Sequence, residues 1–176
     1  ALLGRGVGLG GGVAAEDLRD ELVRLGARPA TKEAAIREAC QLLVASDRID
    51  PAYADSMMRR ETVANTYLGH GVAIPHGMVE DRAMIRRGGL AILQVPDGVV
   101  WNEGQTVRLI VAIAAQSDAH IAMLRRLTRL LQDEAALAAL FHTTDAGAFV
   151  RALADETPEA APTVPMNRAT GTDSQL

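Results

Sequence analysis

The segment Thr66-Tyr67-Leu68-Gly69-His70-Gly71-Val72-Ala73-Ile74-Pro75-His76-Gly77 delivers a histidine directly after a short apolar run and hems it with proline and glycine. Residues 71–74 read as a strand covered on both faces. Pro75 lacks an N–H and has a fixed φ, so a central strand should end there and leave His76 at the carboxyl edge of the sheet. In open α/β sheets that edge is where ligands bind. Imidazole has an unperturbed pKa of about 6.5, so near neutral pH a ring nitrogen can attack phosphorus without a separate base or a metal. The plain alternative is a hydrogen-bonded structural histidine at a strand end.

Two more apolar runs, 90–95 and 107–113, read as further strands, and helical patterns lie on either side of the three. Thr31 can cap a helix that turns Ala35, Ile36, Ala39, Leu42 and Leu43 to one face, with Cys40 beside it. Asp50-Pro51 opens a second, with Ala54, Met57 and Met58 inward and Arg59 and Arg60 near its end. After Ser117 a third carries Ile121, Leu124, Leu127 and Leu131 on one stripe, with Arg125, Arg126 and Arg129 largely opposite. Further helices are expected at 134–140 and 146–154. Helices before, strands between and helices after predict an α/β fold, a three-layer helix/sheet/helix sandwich with a mixed sheet.

The 176 residues suffice for one domain with a real core, and 48% apolar against 23% charged residues is a globular balance. Residues 1–19, with six glycines in the first twelve, read as a flexible lead. Residues 20–156 read as the folded domain. Residues 157–176, with Pro158, Pro162 and Pro165, read as a flexible tail. The net charge of −4 and the lack of a basic patch interleaved with aromatics argue against nucleic acid. No apolar run has the length of a membrane span, so no direct membrane insertion is expected. One cysteine, Cys40, permits neither an internal disulfide nor a Cys-x-x-Cys metal site, which suits the cytoplasm. No metal or cofactor is expected.

Arg60-Glu61, Thr66-Tyr67-Leu68-Gly69 and Gly71 to Gly77 together resemble the signature of IIA domains of the mannitol/fructose family of the sugar phosphotransferase system, closest to the mannitol-specific branch. The resemblance continues through Val95-Pro96-Asp97-Gly98-Val99, Ile113-Ala114-Ala115, His120-Ile121 and Leu140-Phe141-His142-Thr143-Thr144. It spans roughly residues 25–153. It implies a phosphotransferase with a phosphohistidine intermediate at His76. The phosphocarrier HPr would be the donor, and a cysteine on a IIB domain elsewhere the acceptor, for uptake of mannitol or a related sugar. A regulatory module of the nitrogen-type branch, acting by phosphorylation-dependent protein binding, is the alternative.

His120 stands three residues after Ser117, so a Ser117 cap would put it in a first helical turn, where unpaired N–H groups attract anions. The resemblance makes it the second active-site histidine, although Ala119 stands where relatives often carry Glu. Arg60 matches the family's active-site arginine, and its guanidinium can brace phosphate oxygens. Gly77 would let backbone approach the group on the ring, and Thr66 would hydrogen-bond near the site. Glu61 reads as orienting Arg60 or as a solvated charge, His70 as a loop histidine, and His142 as a capping or packing residue.

Overall fold

The computed structural model describes residues 18–116 and 121–153. The expected tail, most of the expected lead, and the segment from Ser117 to His120 lie outside the described residues. Leu18, inside the lead expected over residues 1–19, is buried in the core.

Among the described residues five strands form one mixed sheet in the order β1-β4-β5-β3-β2. They are β1 (Val23–Arg24), β2 (Tyr67–Gly69), β3 (Val72–Ala73), β4 (Gly89–Asn102) and β5 (Gln105–Ala114). β4 and β5 make a long antiparallel hairpin at the centre. β1 joins β4 in parallel, β3 joins β5 in parallel, and β2 folds back antiparallel on β3. Helices cover both sides of the sheet, so the α/β sandwich read from the apolar runs is the fold observed.

The helices are α1 (Lys32–Ala45), α2 (Tyr53–Val63), α3 (Ile121–Gln132), α4 (Glu134–His142) and α5 (Ala146–Leu153). Thr31 caps α1 as its sequence predicts, its side chain accepting from the Ala34 N–H at 3.1 Å. Asp50 accepts from the Ala52 N–H at 2.9 Å, but residues 51 and 52 form a turn and α2 begins one step later, at Tyr53. α1 packs on β4 and β5, α2 packs on α1, and α3 packs against α4 and α5. Ala35, Ile36, Ala39, Cys40 and Leu43 of α1 meet Ile92, Leu93, Leu109 and Ile110 in one continuous core.

Two strands, β3 and β4, depart clearly from the bounds read in the sequence. β3 is shorter than residues 71–74, because the chain turns through Gly69, His70 and Gly71, all with positive φ, immediately before it. β4 runs past Pro96 to Asn102, with its register broken between Gln94 and Val99. Such a bulge frees Pro96 from any need to donate to the ladder. Gly98 sits there at φ 78°, where a Cβ would stand 2.4 Å from Thr106 Cγ2. The edge strands β1 and β2 carry no signal of their own.

Candidate functional site

Pro75 does release the strand, yet the chain keeps its register for one more step. The Pro75 carbonyl accepts from the Ile113 N–H at 2.9 Å, and His76 bridges Ile113 in parallel sense. β5 ends one residue later, at Ala114, so the imidazole leaves the backbone at the shared carboxyl edge of β3 and β5.

The ring is half-buried, and its Nδ1 lies 2.9 Å from the Ile74 carbonyl oxygen. A carbonyl only accepts, so Nδ1 carries the proton, and the lone pair of the neutral ring resides on Nε2. The structure thus assigns the tautomer by backbone chemistry alone.

His76 lines a cavity of about 400 Å³ together with Arg60, Gly77, Tyr53, Val79 and Arg82. Two guanidinium groups and no carboxylate are found among the described lining residues, which is the charge balance an anion requires. Arg60 arrives from the last turn of α2, where its Nη1 donates to the Ala64 carbonyl at 2.7 Å and steadies the helix end.

Gly77 lines the cavity and packs closely on Tyr53. A Cβ on it would lie 2.4 to 2.7 Å from the ring and oxygen of Tyr53, and its N–H donates to the Tyr53 hydroxyl at 3.0 Å. The next N–H, of Met78, is taken by Ser56 Oγ at 2.9 Å, and Ser56 donates in turn to Asp81 at 2.6 Å. Tyr53, Ser56 and Arg60 recur at helical spacing, so one face of α2 grips the loop after His76. Tyr53 and Arg82 escaped the sequence reading. Tyr53 lies seven residues before Arg60, two turns back on the same face, and that spacing was the available signal.

Thr66 does not line this cavity. It is buried, its hydroxyl donates to Glu61 Oε2 at 2.7 Å and its N–H to Oε1 at 2.9 Å. Its carbonyl accepts from the Ile74 N–H at 3.0 Å, so it supports the strand from behind.

Glu61 neither orients Arg60 nor faces water. It is 7% exposed, and besides Thr66 it accepts from Trp101 Nε1 at 2.9 Å and pairs with Lys32 Nζ at 3.0 Å. Lys32 in turn sits 5.0 Å above the centre of the Trp101 ring. A buried carboxylate persists only when so surrounded by donors, which is why it turned inward.

His70 occupies the exposed turn between β2 and β3 at φ 54°, and His142 is the last residue of α4. His120 lies outside the described residues. Among the described residues no group of three or more His, Cys, Asp and Glu side chains is placed to hold a metal ion. No described helix is long and apolar enough to cross a membrane.

Residues 17–156 match the family model described as phosphoenolpyruvate-dependent sugar phosphotransferase system, EIIA 2. A multiphosphoryl transfer protein of Xanthomonas campestris is 59% identical over 140 residues, which are 79% of this chain and 17% of that protein. This chain therefore spans about a fifth of the length of the first curated relatives it matches. The crystal structure of IIA mannitol from Escherichia coli superposes with a TM-score of 0.71 at 38% identity, covering 78% of this chain and 99% of that one. A complex of enzyme IIA mannitol with phosphorylated enzyme IIB mannitol from Escherichia coli matches with the same TM-score at 37% identity, over 77% and 96% of the two chains. The match to the mannitol-type IIA structures bears out the branch read from the residues. A family model covering most of the chain and a fold shared at this level together establish that the chain belongs to the EIIA 2 family of the phosphoenolpyruvate-dependent sugar phosphotransferase system.

Proposed function

We propose that this domain carries a phosphoryl group on His76, accepting it from phosphorylated HPr and passing it to a cysteine of a IIB domain during uptake of mannitol or a related sugar. The single observation that carries the reading is the His76 ring itself. It is half-buried at a sheet edge, held through Nδ1, and opens on a cavity walled by arginines.

In the accepting step the Nε2 lone pair attacks phosphorus in line. A new N–P bond forms, the N–P bond to the donor histidine breaks, and that ring departs with the electron pair. His76 keeps its Nδ1 proton, so the phosphorylated ring bears positive charge, and the Ile74 carbonyl dipole faces that charge. Arg60 and Arg82 are placed to balance the phosphoryl oxygens. In the passing step a thiolate attacks, an S–P bond forms, the N–P bond to His76 breaks, and its electron pair returns to Nε2 to restore the neutral ring. The protein supplies position and field and makes no other covalent bond. His120 is assigned the assisting role that its family position implies.

The relatives are in keeping with this reading: one is a multiphosphoryl transfer protein, and one is a complex of enzyme IIA mannitol with phosphorylated enzyme IIB mannitol. A cytoplasmic setting fits the relay, in keeping with the unpaired, buried Cys40.

The test uses the chain with HPr, the first enzyme of the system and labelled phosphoenolpyruvate. His76 takes the label, and a IIB domain removes it. Label persisting undiminished in His76→Ala, or refusing to leave for a IIB cysteine, refutes the assignment.

A further inference from the structure

One wall of the cavity holds a hydrogen-bond donor whose proton is unused. Tyr53 is 3% exposed, and its hydroxyl oxygen accepts from the Gly77 N–H at 3.0 Å. A phenol also donates, and the Tyr53 proton meets no acceptor among the described residues. Buried tyrosine hydroxyls ordinarily find one. The side chain lines the same cavity as His76, Arg60 and Arg82, and the residue it grips is the one directly after His76.

We propose that Tyr53 is a catalytic residue of the relay, its hydroxyl donating a hydrogen bond to an oxygen of the phosphoryl group on His76. The proposal rests on the reading of His76 as the carrier. No bond to the phenol forms or breaks, and it keeps its proton throughout. Burial holds the phenol above its ordinary pKa, with the Gly77 N–H pulling weakly the other way, so the hydroxyl stays a neutral donor at working pH. Accepting from Gly77 polarises the O–H bond, and donation to an anionic oxygen is stronger than donation to a neutral one. Gly77, Tyr53 and the phosphoryl group then form one chain of donors that closes only when phosphorus arrives.

Two measurements test this. Tyr53→Phe keeps the ring that packs on Gly77 and removes the donor. At a fixed ratio of donor to acceptor, the phosphorylated fraction of His76 should fall by about ten-fold in equilibrium constant. The second needs no substitution that risks the fold. The chain has two tyrosines, Tyr53 and Tyr67, so 3-fluorotyrosine gives two fluorine resonances. On phosphorylation of His76 the Tyr53 resonance should move and the Tyr67 resonance should stay. An unmoved Tyr53 resonance in fully phosphorylated protein, or an unchanged equilibrium in Tyr53→Phe, overturns the proposal while leaving the relay intact. A wild-type chain that takes no label on His76 removes the relay reading, and this proposal with it.

Discussion

Glu61 holds Thr66 twice, through the backbone N–H at 2.9 Å and the hydroxyl at 2.7 Å, and so ties the end of α2 to the strand that leads toward His76. The same carboxylate also takes Trp101 Nε1 and Lys32 Nζ. Glu61→Gln sets an amide NH2 among these donors and strips Lys32, a largely buried cation, of its counter-charge. It should destabilise the domain by about 3 kcal/mol, read as a fall in the urea midpoint. Thr66→Val, which removes only the hydroxyl, should cost about 1 kcal/mol. Equal effects from the two would contradict a hub centred on the carboxylate.

Gly77→Ala would drive a methyl group against the Tyr53 ring at 2.4 Å. The expected loss is about 1 to 3 kcal/mol of stability, from a displaced ring and a lost hydrogen bond. In a Tyr53→Leu background, where the ring is gone, the same change should cost clearly less. Additive costs in that double-mutant cycle would show that the clash is relieved elsewhere.

Arg60 meets the cavity and, among the described residues, makes one hydrogen bond, to Ala64 at the helix end. Arg60→Ala should slow phosphorylation of His76 by about ten- to a hundred-fold while changing stability by less than about 1 kcal/mol. Arg60→Lys should recover only part of the rate, because an ammonium lacks the planar fork. Rapid-quench labelling and a thermal melt on the same samples separate the two quantities.

Cys40 lies between α1 and α2 with its Sγ 3.2 Å from Met57 Sδ, and burial pushes its thiol from 9.0 up to about 12, against a smaller pull from Arg37. The folded state therefore keeps a proton that the unfolded chain releases. Stability from this group is complete below about pH 9 and declines as pH climbs toward 12. The loss should reach on the order of 1 kcal/mol by ~pH 10. Urea midpoints across this range should fall less steeply in Cys40→Ala than in the parent. Parallel slopes would assign the alkaline loss to other groups.

The centre of the fold was legible because its signals are local. Leu109 to Ile113 is an unbroken apolar run, Thr31 stands one residue before α1, and Pro75 marks a release point whatever surrounds it. What stayed hidden depends on partners far along the chain. β1 and β2 are two and three residues long and exist through their pairing with β4 and β3. Nothing near Glu61 announces Lys32 or Trp101, so its burial could not be read beforehand. Of the residues around the cavity, His76 and Arg60 were legible. Tyr53 was not, because its meaning comes from Gly77, 24 residues later.

The link between His76 and Ile113 joins two stretches of chain that meet only when β3 docks beside β5. Closing such a distant contact belongs among the slower events of a folding reaction. Competence to take phosphorus should therefore lag behind the first helices to form and coincide with completion of the sheet. On the proposed relay reading, a nascent chain still waiting for Ile113 would carry the histidine without its seat and should not yet accept a phosphoryl group.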